Sequence, residues 1–133
     1  ASNINIEKIK FGYNAREKST RRAKNVQILR ACFDISSNAL SRSEEKTVYI
    51  QYIDPNGRLL RSPTSPENAS FSFTKGEVVE KVDCTTYKKF NYQKKALSLC
   101  VDWQRKDILS KGKYSMKIYL EKRLVGTEYF ILH

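Results

Sequence analysis

The chain has 133 residues, 40% of them hydrophobic and 11% aromatic, and its 25 Lys and Arg against 14 Asp and Glu give a formal charge of +11. That composition excludes a disordered segment and suits one domain, residues 1–133, able to bury about two-thirds of the surface its unfolded form exposes. No stretch approaches the roughly 20 apolar residues of a membrane span, and Ala1-Ser2-Asn3 starts neither the basic nor the apolar part of a signal peptide. The opening Ala leads us to expect a processed chain or a domain excised from a longer parent.

In chain order, Ile4, Ile6, Ile9, Phe11 and Tyr13 predict a first strand, with a bulge between Ile6 and Ile9 where the alternation slips. Residues 16–24 carry too few apolar side chains for an amphipathic helix and read as a long basic loop. Residues 26–35 form the second strand, with Leu29, Ala31, Phe33 and Ile35 on the core face and Arg30, Cys32 and Asp34 on the other. After a polar loop over 36–46, residues 47–53 make a central strand that turns Val48, Ile50 and Tyr52 to one side. Asp54-Pro55-Asn56-Gly57 is a turn, because Pro presets φ and Asn-Gly tolerates positive φ. Residues 58–60 then run back antiparallel.

Pro63 and Pro66 make residues 62–68 an irregular crossing, since two close prolines do not fit a central strand. Strands over 69–73, 78–84, 97–103, 114–120 and 125–132 follow, the last two joined by the charged turn Glu121-Lys122-Arg123. A period of two without a sustained helical repeat predicts an all-β, antiparallel sandwich of about eight strands, of the immunoglobulin-like (Greek-key) kind.

Cys32 and Cys100 have a separation like that of immunoglobulin cysteines, but each shares its face with polar residues. A buried inter-sheet bridge needs the opposite phase. The single Trp103 also follows the second Cys, and Cys84 makes the count odd, so three unbridged thiols are the expectation.

The residues give little chemistry. The one histidine is His133, so no Ser/His or Cys/His pair assembles within the fold, and single cysteines without a second histidine do not close a zinc site. We therefore expect no catalytic residues, no metal and no cofactor. Asp34 and Asp102 each stand two positions beyond a Cys, and on neighbouring strands they could form a dyad with split pKa values; two surface carboxylates are the simpler reading. The glycines are isolated and do not make a phosphate loop. Asn68-Ala69-Ser70 matches a glycosylation acceptor, a short and common pattern.

The basic residues point to two uses. Arg16, Lys18, Arg21, Arg22 and Lys24 form the densest run, with Lys88, Lys89, Lys94 and Lys95 as the next group. They either blunt sheet edges or form an anion-binding face for nucleic acid or another polyanion. Single-strand binding also needs exposed aromatics, and Tyr87, Phe90 and Tyr92 among the second group are the candidates.

Residues 26–35, 47–60, 112–120 and Leu124-Val125-Gly126-Thr127 resemble the C-terminal β-sandwich domain of bacterial coiled-coil proteins that often carry a chromosome segregation or partition label. The resemblance spans about residues 4–132 and implies a sandwich at the end of a helical stalk, at the bacterial cell envelope, with the cytoplasm as the alternative. It carries over no catalytic residue. The expected function is a non-enzymatic interaction module that adds a partner's strand to an exposed edge, with a basic nucleic-acid or polyanion binder as the alternative.

Overall fold

Strict alternation of apolar and polar side chains builds the structure. In β3 (Ile28–Ile35), Leu29, Ala31, Phe33 and Ile35 are buried while the residues between them reach the surface. β4 (Glu44–Ile53) buries Val48, Ile50 and Tyr52 in the same manner, as the sequence predicts. The computed structural model describes residues 1–38, 40, 42–61, 65 and 69–133. Among these are ten strands, two single-turn 3-10 helices at Tyr13–Ala15 and Ala23–Asn25, and no α-helix.

The other strands are β1 (Ser2–Phe11), β2 (Glu17–Ser19), β5 (Ser70–Lys75), β6 (Val78–Asp83), β7 (Thr86–Tyr92), β8 (Leu97–Gln104), β9 (Gly112–Leu120) and β10 (Arg123–Leu132). They form two four-stranded antiparallel sheets, β2-β1-β3-β8 and β10-β9-β4-β7, and a separate hairpin β5-β6. The inner faces of the two sheets supply one core, in which Leu29, Phe33 and Trp103 meet Tyr52, Tyr114, Met116 and Ile118. β7 lies beside β8 and β1 beside β10 across the gap between the sheets.

Ten strands in three sheets replace the expected eight or so: β2 and β7 are additional to the predicted set, and β5 and β6 pair with each other apart from the two facing sheets. That hairpin covers the outer face of the second sheet. Phe71 of β5 places its ring 5.1 Å from Tyr49 and 5.2 Å from Tyr119, and Tyr49 in turn meets Tyr87 at 5.8 Å. Tyr119, Tyr49 and Tyr87 share one cross-strand row, so an aromatic band runs over β9, β4 and β7 with Phe71 above it. Under this lid the Cys84 thiol is fully buried, and burial pushes its pKa up to about 12.

Several local expectations change. β1 pairs with β3 in continuous register from Asn5 to Ile9, and the irregularity falls between Ser2 and Asn5 instead. Ile6 and Ile9 therefore lie on opposite faces, and both are buried. The basic loop 16–24 contains β2, which pairs with β1 through Glu17, Lys18 and Ser19; three charged or polar residues carry no alternation to read. β7 escapes sequence reading because Lys88 and Lys89 interrupt its pattern. The crossing predicted over 62–68 and Asn68 of the glycosylation motif fall outside the described residues, apart from Ser65, whose hydroxyl accepts a hydrogen bond from Trp103 Nε1 at 2.8 Å.

The turns match their chemistry. Gly57 has φ +81°, its N–H donates to the Asp54 carbonyl, and the Asp54 carboxylate accepts from the N–H groups of Asn56 and Arg58 at 2.9 Å. Glu121 and Lys122, at φ +49° and +65°, make the two-residue turn of the last hairpin, the type I′ arrangement that matches strand twist. Gly112 is required twice over, by φ +132° and by Pro55 Cγ, 2.7 Å from where a Cβ would stand.

The cysteine expectation is corrected. Cys32 and Cys100 are disulfide-bonded, and Cys84 alone is free. Alternation does keep both cysteines off the inner faces, yet a bond within one sheet is open to them. Cys32 and Cys100 stand directly opposite each other on adjacent strands of one sheet, with Cα atoms 4.1 Å apart, so the bond lies on the outer face.

Candidate functional site

The outer face of the first sheet holds the chemistry-bearing side chains that the sequence singles out, and the register decides what they do. Arg30 stands opposite both Glu7 and Asp102. Its guanidinium donates to Asp102 at 2.7 and 2.9 Å and to Glu17 at 3.0 and 2.9 Å, with Glu7 at 3.5 Å. The hydrogen bonds from Arg30 hold the Glu17 carboxyl below its usual range. One row along, the disulfide separates this cluster from Asp34, which accepts hydrogen bonds from Asn3 at 2.7 Å and Ser98 at 2.6 Å. Those donors lower the Asp34 pKa. β3 and β8 are neighbours, yet Asp34 faces Ser98 and Asp102 faces Arg30. The two carboxylates thus lie one same-face row from the disulfide in opposite directions and form no dyad. Among the described residues no group of His, Cys, Asp and Glu side chains could hold a metal ion.

The nine basic candidates divide between two edges. Arg16, Lys18, Arg21, Arg22 and Lys24 follow the path from the first 3-10 helix through β2 into the second, along the β2 edge. Lys88 and Lys89 belong to β7 and Lys94 and Lys95 to the β7–β8 turn, at the far edge of the sandwich. Lys88 spans the rim and donates to the Cys100 carbonyl of β8 at 3.0 Å, while Lys89 pairs with Glu45 at 4.0 Å. Two of the three aromatics proposed for base stacking are core residues: Phe90 and Tyr92 are 8% and 1% exposed. The third, Tyr87, belongs to the aromatic band.

Sequence reasoning misses β10 as a surface. Its inward residues Phe130 and Leu132 are buried, whereas Leu124, Tyr129 and Ile131 are 51%, 57% and 52% exposed. Lys113 of β9 sits over the Tyr129 ring at 4.8 Å. β10 is the outermost strand of its sheet. Among the described residues its open side is met only near its ends, where the Ala1 nitrogen donates to the Val125 carbonyl and residues 21–23 bracket His133. Between them the Tyr129 N–H donates to the Glu128 carboxylate at 3.1 Å.

At the far end of β10, Ala23 N–H donates to the His133 carbonyl and His133 N–H to the Arg21 carbonyl, both at 2.7 Å. This is the pattern of a parallel bridge with Arg22 opposite His133. It brings Arg22, Lys24, Lys111 and His133 around one cleft of about 230 Å³, a grouping that three distant sequence positions conceal. No helix among the described residues is long and apolar enough to cross a membrane.

No curated protein and no solved structure matches the chain. A family model does match it over residues 2–133, and the chain belongs to that family, the domain of unknown function DUF8428.

Proposed function

We propose that this domain is a non-enzymatic interaction module that takes an extended segment of a partner protein as an added strand along β10. The observation that carries the reading is the contrast among the sheet edges. Proteins keep edges from pairing with short strands, lysines and inward-pointing charge. β2 is three residues long, and all three are exposed. Lys88 closes the rim between β7 and β8 by taking the Cys100 carbonyl. β10 is ten residues long, presents Leu124, Tyr129 and Ile131 to solvent, and has one polar guard, Glu128 on the Tyr129 N–H. A free backbone edge flanked by apolar side chains is what strand addition uses.

The groups of catalytic type have structural roles: Arg30 pairs with Glu17 and Asp102, Asp34 with Asn3 and Ser98, and Cys84 is buried. The order β1-β3-β8 facing β10-β9-β4-β7 supports an immunoglobulin-like Greek-key topology. The resemblance noted in the sequence supports a bacterial parent that holds the domain on a coiled-coil stalk at the envelope. The alternative, a nucleic-acid or polyanion binder linked to chromosome segregation, draws support from Arg16, Arg21, Arg22 and Lys24 on the two connections that flank β2.

The test is an NMR titration of the labelled domain with a short synthetic peptide of alternating valine and threonine. Strand addition moves the amides of Thr127, Tyr129 and Ile131 and slows their hydrogen exchange. Shifts confined to β7 or β8, or none at all, refute the reading, and DNA binding that depends on Arg21 and Arg22 at physiological salt favours the alternative.

A further inference from the structure

We infer that the cleft formed by Arg22, Lys24, Lys111 and His133 seats an acidic side chain of the strand that adds to β10. The inference rests on the strand-addition reading and specifies the partner's chemistry. Arg22, Lys24 and Lys111 converge here from two separate connections, and among the described residues no Asp or Glu side chain lines the cleft. None of the three side chains makes an ion pair among the described residues. By contrast, Arg30 is matched by Glu17 and Asp102, and Lys46 by Glu44 and Glu121. An uncompensated group of cations in a concavity is a focus of positive potential that attracts an anionic group.

The cleft is also held in place. Ala23, between Arg22 and Lys24, is 2% exposed and is hydrogen-bonded to His133. His133 follows buried Leu132, so alternation directs its side chain to the same outer face as Ile131 and Tyr129. A strand laid on β10 therefore passes Tyr129 and Ile131 and reaches the cleft. The partner this fits is an extended segment with alternating apolar residues and a carboxylate at the end that lies beside His133. Arg22 and Arg21 also belong to the basic run considered for polyanions, so nucleic acid is the competing occupant and the test must separate the two.

The probe is the alternating valine–threonine peptide, made with an aspartate pair or an asparagine pair at either end and titrated by fluorescence anisotropy. Exposed ion pairs are worth up to about fivefold each in affinity. We expect the aspartate peptide of one orientation to bind roughly fivefold tighter than its asparagine twin, the gap to narrow with salt, and the variant R22Q/K111Q to abolish the gap while still binding the asparagine peptide. Equal affinity for both peptides, or a preference that survives in the variant, overturns the cleft assignment and leaves strand addition standing. If neither peptide binds, strand addition fails and the cleft assignment with it. If oligothymidylate displaces the aspartate peptide at physiological salt in the parent protein but not in the variant, the cleft is a phosphate site and the inference is overturned.

Discussion

Opening the Cys32–Cys100 bond leaves the folded sheet almost unchanged and acts on the unfolded chain. The two cysteines are 68 residues apart in sequence, and between β3 and β8 the register runs unbroken through eight pairs, from Ile28 opposite Gln104 to Ile35 opposite Leu97. The folded ladder keeps those pairs and their inward side chains without the bond. The unfolded chain, in contrast, gains the freedom of a loop that long, which corresponds to about 4 kcal/mol. For a domain whose total stability is of order 5–15 kcal/mol, that loss is severe. Guanidinium unfolding of the C32A/C100A variant is the assay, because it leaves the buried Cys84 untouched and needs no reductant. We expect the midpoint to fall by roughly 1 M with the slope little changed, and the native circular dichroism to be retained. A fall below about 0.3 M would refute the loop-entropy reasoning, as would loss of native structure in the absence of denaturant.

Phe71→Ala should uncover the aromatic band at a cost of about 3 kcal/mol, and Cys84 should become measurably faster to alkylate, read by thiol-reagent kinetics. Lys122→Gly should stabilise the domain by about 1 kcal/mol, since Gly relieves a side chain at positive φ while Glu121 keeps its contact with Lys46; thermal melts check it. Glu128→Ala should free the Tyr129 N–H and increase self-association along β10, measured by analytical ultracentrifugation. Asp34, Glu17 and Glu44 have folded pKa values held below their unfolded ones, chiefly by hydrogen bonds from Asn3, Arg30 and Lys46 respectively. Their contribution is therefore present above the unfolded carboxylate range of about 4 and is lost as pH falls through the lower folded values; carboxyl NMR titration of Asn3→Ala should show the Asp34 pKa rising.

Much of the fold is legible in the sequence because burial on one face of a sheet imposes a period of two. Leu29, Ala31, Phe33 and Ile35 announce β3, and Asp54-Pro55-Asn56-Gly57 announces its turn through local dihedral preference alone. The failures come where a residue breaks the period for a tertiary reason. Lys46 occupies an inward position of β4, 5% exposed, because Glu44 and Glu121 supply the charge that makes its burial tolerable. Only the fold brings Glu121, the first turn residue of the last hairpin, to that place. Lys88 breaks β7 in the same way, since an inward lysine at a rim reads as a loop until the carbonyl of Cys100 is beside it.

The candidate site is less legible still, for a reason that applies to sheet edges in general. Tyr129 and Ile131 alternate with Phe130 and Leu132, so in sequence they read as one apolar run with no sign of which pair meets solvent or which side lacks a neighbour. Being an edge depends on strand order, set by crossings between sheets, and strand order has no local signature. The cleft at His133 is more remote again, because Arg22, Lys24 and Lys111 reach it only after β10 and the β2–β3 connection are bridged through Arg21 and Ala23. The basic run from Arg16 to Lys24 is legible in the sequence as charge. What the fold adds is that two of its members, Arg22 and Lys24, share a cleft with Lys111 and His133 at the end of β10, and this placement, which the charge count does not contain, is what the proposed acidic strand would test.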